Sequence, residues 1–362
     1  MYSFPANKQC DHTQARSEKS RQSNDKAQNP EESLTIMKRG QRWRCLVPLT
    51  FFFGILFYCN QSLWETLSIG AKPINNVIAG SGFRKLLEEN GKIIDKSHPI
   101  GAIKQFPKCV IIGVRKCGTR ALLEFLDLHS GIQSTYHEVH FFDDDKNYNQ
   151  GLEWYRKNMP YSLPGQITIE KTPRYFISHG VPYRIKRLNS DMKIIVSLRH
   201  PTIRVISDYT QIYYNKLMKN ETPDRFETMA LDPDTGELNM RYKALQISIY
   251  HHNFARWLKI FPKNQIHIVD GDNLIIDPVS EIRKIEKFLG LAHEITYDKL
   301  YFNTTRGFYC MRVNSTMERC LGASKGRRHP DIDPNLITKF NKFFRPHNER
   351  LFKMINRRFP WS

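Results

Sequence analysis

A short basic loop follows a buried strand near residue 110. Residues 108–120 read KCVIIGVRKCGTR, which predicts a strand Lys108–Val114, a loop and a helix beginning at Thr119. Backbone N–H groups and the helix dipole at such a junction bind phosphate. Gly118 is not followed by the Lys-Ser/Thr pair of a nucleotide triphosphatase loop, and Lys116 lies inside the loop instead. A nucleotide with a single 5′ phosphosulfate offers a shorter target, whose charge Lys116 could neutralise without metal. A tight turn with solvent-facing basic residues is the alternative.

A second basic cluster follows the predicted strand Lys193–Leu198. Arg199 comes directly after this strand, and Ser207 lies about two helical turns further on. Because ligands of open α/β sheets bind outside the carboxyl ends of the strands, Arg199 and Lys116 are expected to face one crevice. A guanidinium and a hydroxyl suit an isolated phosphate group. The alternative role for Arg199 is a helix-capping salt bridge.

The elements that must position these residues alternate between apolar strands and helices. Predicted strands and helices are Lys108–Val114, Thr119–Leu128, Gln166–Glu170, Lys193–Leu198, Pro201–Leu217, His251–Leu258, Gln265–Asp270, Pro278–Leu289 and a helix from Pro334. Continuous β-branched runs between helices are typical of a parallel sheet covered on both faces. The sequence therefore predicts an α/β domain, and it shows no internal repeat.

The chain carries 55 Lys and Arg against 36 Asp and Glu, a net charge of +19, which indicates an acidic partner. Its uninterrupted apolar run is LVPLTFFFGILFY, residues 46–58, preceded by basic residues. We predict a cytosolic, disordered tail (1–44), a transmembrane signal anchor (45–64), a stem (65–105) and a luminal catalytic domain (106–362). A cleaved signal peptide normally lies closer to the first Met, and a buried core helix is the other alternative.

The luminal assignment makes two further predictions. Cys310 and Cys320 are close in sequence and can close a short loop as a disulfide. The glycosylation triplets begin at Asn220, Asn303 and Asn314. Because no Cys/His cluster has zinc spacing, a metal is not expected.

Several further motifs narrow the class. Residues 138–143 (EVHFFD), 170–173 (EKTP), 302–310 (FNTTRGFYC) and 320–330 (CLGASKGRRHP), together with the two basic loops, resemble the heparan sulfate glucosamine 3-O-sulfotransferases. GDNL (271–274) and KFNKFF (339–344) are most similar to the fifth vertebrate isoform type. The chain departs from the family pattern at Cys117, usually a glycine, at His200, usually an acidic residue, and in its long N-terminal tail.

The resemblance implies a P-loop-like sulfotransferase fold and a Golgi membrane enzyme of type II topology. Its donor would be 3′-phosphoadenosine 5′-phosphosulfate, its acceptor the 3-hydroxyl of glucosamine in heparan sulfate, and it would require no metal. Glu138 would be the general base with His140 and Asp143 beside it, and Lys116 and Lys171 would assist. Residues expected to bind the nucleotide are Lys116, Cys117, Gly118, Thr119, Arg120, Arg199, Ser207, Tyr309, Lys325, Gly326, Arg327, Arg328 and His329. Lys171, Arg174, Gln211 and Tyr242 would contact the saccharide.

Three other classes compete with this interpretation. A kinase or P-loop triphosphatase lacks support because the Lys-Ser/Thr pair is missing. A non-catalytic heparin-binding luminal module would explain the charge, and the run 325–329 could be an ordinary solvated basic segment. That reading gives Lys116, Arg199 and Glu138 no joint purpose. A nucleic-acid binder is disfavoured because the basic residues are spread through an α/β core.

Overall fold

The structure, a computed structural model, describes residues 86–89, 92–95, 99–322 and 325–361. The predicted tail (1–44) and membrane anchor (45–64) lie outside these residues, as does most of the predicted stem. Within the described ranges, no helix combines the length and the apolar character that a bilayer crossing requires.

The strands are short, and most of them lie in the first two thirds of the chain. In order they are β1 (Leu86–Glu89), β2 (Lys92–Asp95), β3 (Ile103–Lys104), β4 (Cys109–Gly113), β5 (Ile132–Ser134), β6 (Tyr161–Ser162), β7 (Ile167–Lys171), β8 (Lys193–Leu198), β9 (Ile266–Asp270), β10 (Leu300–Asn303), β11 (Phe308–Arg312) and β12 (Glu318–Arg319). Strand β3 pairs with β6, so residues just before the predicted domain start at 106 already pair with a strand inside that domain.

Helices fill the connections and the C-terminus. They are α1 (Thr119–Leu126), α2 (Asp145–Tyr148), α3 (Gly151–Lys157), α4 (Val181–Leu188), α5 (Pro201–Met218), α6 (Phe226–Ala230), α7 (Lys243–Ser248), α8 (Tyr250–Leu258), α9 (Asn273–Ile276), α10 (Pro278–Leu289) and α11 (Pro334–Ile355). Two 3-10 turns, Pro173–Ile177 and Lys263–Gln265, complete the set of helical elements in the described residues.

The main sheet has five parallel strands in the order β5-β7-β4-β8-β9. The expected α/β fold with a central parallel sheet is therefore confirmed. Strand β4 lies between β7 and β8, and the chain builds one side of the sheet before it crosses to the other. This arrangement is a topological switch point, where the loops at the strand ends separate and leave a crevice.

The sheet is buried on both faces because its strands are apolar at successive positions. Val110 and Ile112 of β4 pack with one core cluster that includes Trp257, while Cys109 and Ile111 pack with another that includes Leu122. Side chains alternate between the two faces of a strand, so an unbroken apolar run fits a strand covered by helices on both sides.

A separate antiparallel sheet, β10-β11-β12, carries the predicted disulfide pair. Cys310 of β11 is bonded to Cys320, which directly follows β12. The bond joins the middle strand of this small sheet to the residue that follows β12, five residues before the basic segment 325–329. Asn220 and Asn314 are exposed and Asn303 is half-buried, so the predicted glycosylation triplets lie at the surface.

Candidate active site

A cleft of about 1570 Å³ lies at the carboxyl edge of the main sheet. Its lining contains eleven Lys or Arg side chains but only two acidic ones, Glu138 and Asp208. The predicted site residues that line it are Lys116, Gly118, Thr119, Arg120, Glu138, His140, Lys171, Arg174, Arg199, Ser207, Gln211, Tyr242, Tyr309, Lys325, Gly326, Arg327, Arg328 and His329. Such an excess of cations favours a polyanionic ligand.

The loop after β4 directs Lys116 into the cleft. Lys116 has a left-handed φ of 73°, and its Nζ donates to Gln211 Oε1 at 3.3 Å. Burial, followed by the nearby ammonium of Lys325, lowers the pKa of Lys116 to about 8. Mutually repelling cations held together in this way are stabilised by an anion placed between them.

Cys117, which the resemblance places among the nucleotide-binding residues, is not among the residues that line the cleft. Its side chain is fully buried, with Sγ 3.6 Å from the hydroxyl of Tyr250, and its N–H donates to Val114 O. Its carbonyl accepts from Ser197 Oγ at 2.6 Å. A small apolar side chain can point into the core here, so Cys117 shapes the loop from behind.

Gly118, with φ 83°, precedes the first turn of α1 and so places Thr119 at the helix N-terminus. A residue with a Cβ is strained in that left-handed conformation. The first N–H groups of a helix have no partner within the helix, so the start of α1 presents donors to the cleft.

A buried ion-pair network behind the loop was not predicted from sequence. Arg204 of α5 is fully buried and donates to the carbonyl of Arg115 at 3.0 Å and to Asp208 Oδ2 at 2.5 Å. Asp208 also pairs with Arg115 NH2 at 3.0 Å. The spacing of Arg204 and Asp208 by one helical turn was the available signal, but the sequence does not show that Arg115 joins them.

Arg199 is held by an acidic residue from the neighbouring strand end. Its Nε donates to Asp272 Oδ1 at 2.8 Å, and the N–H of His200 donates to Asp272 Oδ2 at 2.7 Å. Gly271 permits this approach, since a Cβ there would lie 2.8 Å from Leu198 O. Asp272 therefore fixes both Arg199 and the backbone of His200, and Arg199 lines the cleft.

The acidic motif brings Glu138 against Lys171 at the end of β7. Lys171 Nζ donates to Glu138 Oε1 at 2.5 Å, and His140 Nε2 lies 3.6 Å from Glu138 Oε2. Glu138 is 40% exposed, whereas Lys171 is 4% exposed. The carboxylate thus faces the open cleft while its partner is fixed in the wall.

Glu138 and His140 lie beside each other at a turn of the chain. His140 adopts a left-handed φ of 53°, so the chain turns at this residue. Asp143 is fully buried, with Oδ2 3.1 Å from His140 Nδ1 and 3.4 Å from Arg174 Nε. Asp143 therefore positions His140 and Arg174 rather than reaching the cleft itself.

A buried carboxyl, Glu170, supports this turn from behind. It is fully buried and accepts from Thr172 Oγ1 at 2.5 Å and from Tyr155 OH at 3.4 Å. Thr172 Oγ1 in turn accepts from the N–H of His140 at 3.4 Å. Burial raises the pKa of Glu170 from 4.5 to about 7. The sequence displayed Glu170 in EKTP, but only the structure links it to His140.

We expect Glu170→Gln to change how stability depends on pH. The native state keeps the Glu170 proton up to about pH 7, while the unfolded chain releases it near pH 4.5. The unfolding free energy of the wild type should thus fall across this interval by on the order of 3 kcal/mol relative to the variant, which has no such proton. Urea unfolding at several pH values measures this difference. Glu153→Gln, an exposed control paired with Arg156, should track the wild type, and a Glu170→Gln difference that stays constant with pH would refute the assignment.

The basic segment 325–329 closes the far side of the cleft. Gly326 has a left-handed φ of 65° and packs against the ring of Phe308, where a Cβ would approach within 2.8 Å. The guanidinium of Arg327 lies over the ring of Tyr214, 5.3 Å from its centroid. Arg199 and Lys116 act electrostatically on the half-buried His329, and burial together with these cations lowers the pKa of His329. The segment therefore lines the cleft, with Arg327 and His329 half-buried and Lys325, Gly326 and Arg328 exposed.

Comparisons with known proteins agree with the geometry. A family model described as the sulfotransferase domain matches residues 106–354. The chain is 52% identical over 267 residues to heparan sulfate glucosamine 3-O-sulfotransferase 5 of Mus musculus, covering 74% of this chain and 77% of the relative. It is 41% identical to the 3B1 enzyme of that series from Homo sapiens, over 76% of this chain and 71% of the relative. A solved sulfotransferase from Alicyclobacillus acidocaldarius has a TM-score of 0.53 at 20% identity, covering 70% of this chain and 98% of that one, which shows a shared fold.

Proposed function

Because the chain belongs to the sulfotransferase family, among the heparan sulfate glucosamine 3-O-sulfotransferases, we propose that its cleft transfers a sulfuryl group from 3′-phosphoadenosine 5′-phosphosulfate to the 3-hydroxyl of glucosamine. One observation carries the proposal: Glu138, Lys171 and Lys116 line one cleft that is overwhelmingly cationic. Identity is higher to the fifth isoform type than to the 3B1 enzyme, as the motifs GDNL and KFNKFF predicted.

Glu138 is suited to remove the acceptor proton. Its carboxylate is exposed to the cleft and is held by Lys171 Nζ at 2.5 Å. As the sugar oxygen forms its bond to sulfur, the hydroxyl proton passes to Glu138, and the bond from sulfur to the bridging phosphate oxygen breaks. Lys171 fixes the orientation of the base, and its place in the cleft wall suits contact with the transferred sulfuryl group.

Lys116 is suited to stabilise the departing bisphosphate. Negative charge grows on the bridging oxygen as the bond to sulfur breaks, and a cation already in place lowers the barrier because no reorganisation is needed. The start of α1 provides N–H groups for the 5′-phosphate, while Arg199 and Ser207 suit the 3′-phosphate. An anionic donor suits this cluster. Lys116 is repelled by Lys325 and Arg327, and an anion bound among the three would offset that repulsion.

The remaining cations suit a long anionic chain. Arg174 and Gln211 line the cleft, as does the buried Tyr242, and all three suit contact with the saccharide. Each exposed cation near a sulfate adds a modest attraction that salt screens, so the summed field supplies capture and register. Heparan sulfate is therefore the acceptor that the charge balance favours over a small molecule.

Turnover separates this enzyme from a heparin-binding module without catalysis. The full chain, incubated with donor and heparan sulfate, should release many equivalents of adenosine 3′,5′-bisphosphate per chain, without added metal. Mg·ATP should not compete strongly for the donor site. Retention of heparan sulfate with no release of bisphosphate would support the binding module instead.

We also propose that the chain is a type II Golgi membrane protein anchored by residues 45–64, with 106–362 in the lumen. The support is the basic-then-apolar sequence pattern and the surface position of Asn220, Asn303 and Asn314. In sealed microsomes, the C-terminal domain should resist protease and carry glycosidase-sensitive sugar. A chain fully digested by external protease would contradict this topology.

A further inference from the structure

Three histidines meet outside the cleft, where the start of α8 packs against α11. His251 and His252 lie in the first turn of α8, and His347 lies in α11, 96 residues from His251. One ring nitrogen from each lies within 4.8 Å of the other two. His251 is buried, His347 is half-buried and His252 is exposed, and none of the three lines the cleft.

The distances suit a tetrahedral metal ion. His251 Nε2 and His347 Nδ1 lie 2.9 Å apart. A zinc ion with Zn–N bonds of about 2.0–2.1 Å holds its ligand nitrogens roughly 3.3 Å apart, so this pair already approximates one edge of the coordination shell. A nitrogen of the exposed His252 lies within 4.8 Å of the other two, and a water would suit the fourth position of a tetrahedral ion.

We propose that His251, His252 and His347 form a binding site for Zn²⁺ or a similar borderline transition-metal ion. The donor set selects this class, because imidazole nitrogens suit zinc, copper and nickel, whereas magnesium and calcium require oxygen ligands. The short motifs that identify zinc sites in a sequence do not detect this one, because its third histidine is distant along the chain.

Metal binding and the present hydrogen bond exclude each other. The contact between His251 Nε2 and His347 Nδ1 needs a proton on one of these nitrogens. A bound ion needs the lone pairs of both, so the protons must then reside on His251 Nδ1 and His347 Nε2. The change is a shift of tautomer within one ring and requires no net release of protons.

The ion would clamp α8 to the C-terminal helix. Asn253 and Arg256, further along α8, line the cleft, and Arg256 donates to Asn253 Oδ1 at 2.7 Å. A ligand that binds only the folded state raises its stability. The site therefore acts as a structural clip, and it does not take part in sulfuryl transfer.

The test uses the full chain, stripped with a chelator and dialysed, and titrated with Zn²⁺ alone against a chromophoric competitor. We expect each wild-type chain to bind one more zinc ion than a chain of His347→Ala or of His252→Ala. The Tm of the wild type should rise by a few degrees when zinc is added. His252 is exposed, so its removal leaves the fold intact. His293→Ala, which removes an exposed histidine paired with Glu286, is the matched control and should bind as the wild type does.

A variant that removes a nearby positive charge provides an independent test of the zinc site. The cation of Arg350 acts electrostatically on His251 and His347, so Arg350→Gln should bind zinc several-fold more tightly. Equal zinc stoichiometry in the wild type, His252→Ala and His347→Ala would overturn the proposal. An Arg350→Gln variant with unchanged affinity would also count against an ion at this position.

Discussion

Glu138→Gln should lower turnover by about 10²-fold or more at saturating donor and acceptor, because the amide cannot accept the hydroxyl proton. The substitution keeps the size of the side chain and one oxygen to accept from Lys171, which lies 2.5 Å from the carboxylate in the wild type. Donor affinity should change little, since the donor contacts assigned to Lys116 and Arg199 lie on other strand ends. Release of bisphosphate under saturating conditions measures the turnover.

Two further variants serve as comparisons for Glu138→Gln. Glu153→Gln changes an exposed glutamate of α3 that pairs with Arg156 and should leave turnover unchanged. His140→Ala should cost less than Glu138→Gln, since His140 lies beside the carboxylate at 3.6 Å and acts through it. Near-normal turnover in Glu138→Gln would show that Glu138 is not the base and would make His140 the candidate.

Lys116→Ala has a different expected signature. It should lower kcat/KM for the donor by roughly 10²–10³-fold, with losses in both donor affinity and kcat, because the ammonium acts on the phosphosulfate before and during transfer. Steady-state kinetics with varied donor measures both parameters. Lys353→Ala, an exposed position late in α11, is the control for loss of one positive charge.

The pH dependence of donor binding adds a check on Lys116. Its pKa is about 8 in the free protein, and an anionic donor favours the protonated form. Donor affinity in the wild type should therefore decrease as pH rises through about 8, while Lys116→Ala should lack this component. A variant that loses kcat but keeps the donor affinity and pH profile of the wild type would remove Lys116 from donor binding.

Local sequence patterns predicted two of the elements that build the cleft with their observed bounds. Strand Lys193–Leu198 and helix Pro278–Leu289 have the predicted bounds, because unbroken β-branched runs and a proline at a helix start are strong local signals. The three-residue strand β5 and the β10-β11-β12 sheet were missed. Both depend on partners elsewhere in the chain more than on their own composition.

Most of the predicted site residues line the cleft, but the contacts that support them were not predicted. Asp272 binds Arg199 across 73 residues of sequence, and Thr172 reaches His140 across 32. Such contacts depend on which strand ends become neighbours in the sheet, and periodicity does not encode that. Cys117 shows the converse case, since its place in a phosphate loop suggested ligand contact while its apolar side chain packs in the core.

The position that receives the sulfuryl group can be identified by mapping a label on the product. The full chain is incubated with donor carrying radiolabelled sulfate and with heparan sulfate, and the product is depolymerised and its labelled sugar identified. We expect label on the 3-oxygen of glucosamine with the wild type, and no label there with Glu138→Gln. Label on the amino group, on the 6-oxygen or on the uronic acid, or no labelled sugar at all, would contradict it.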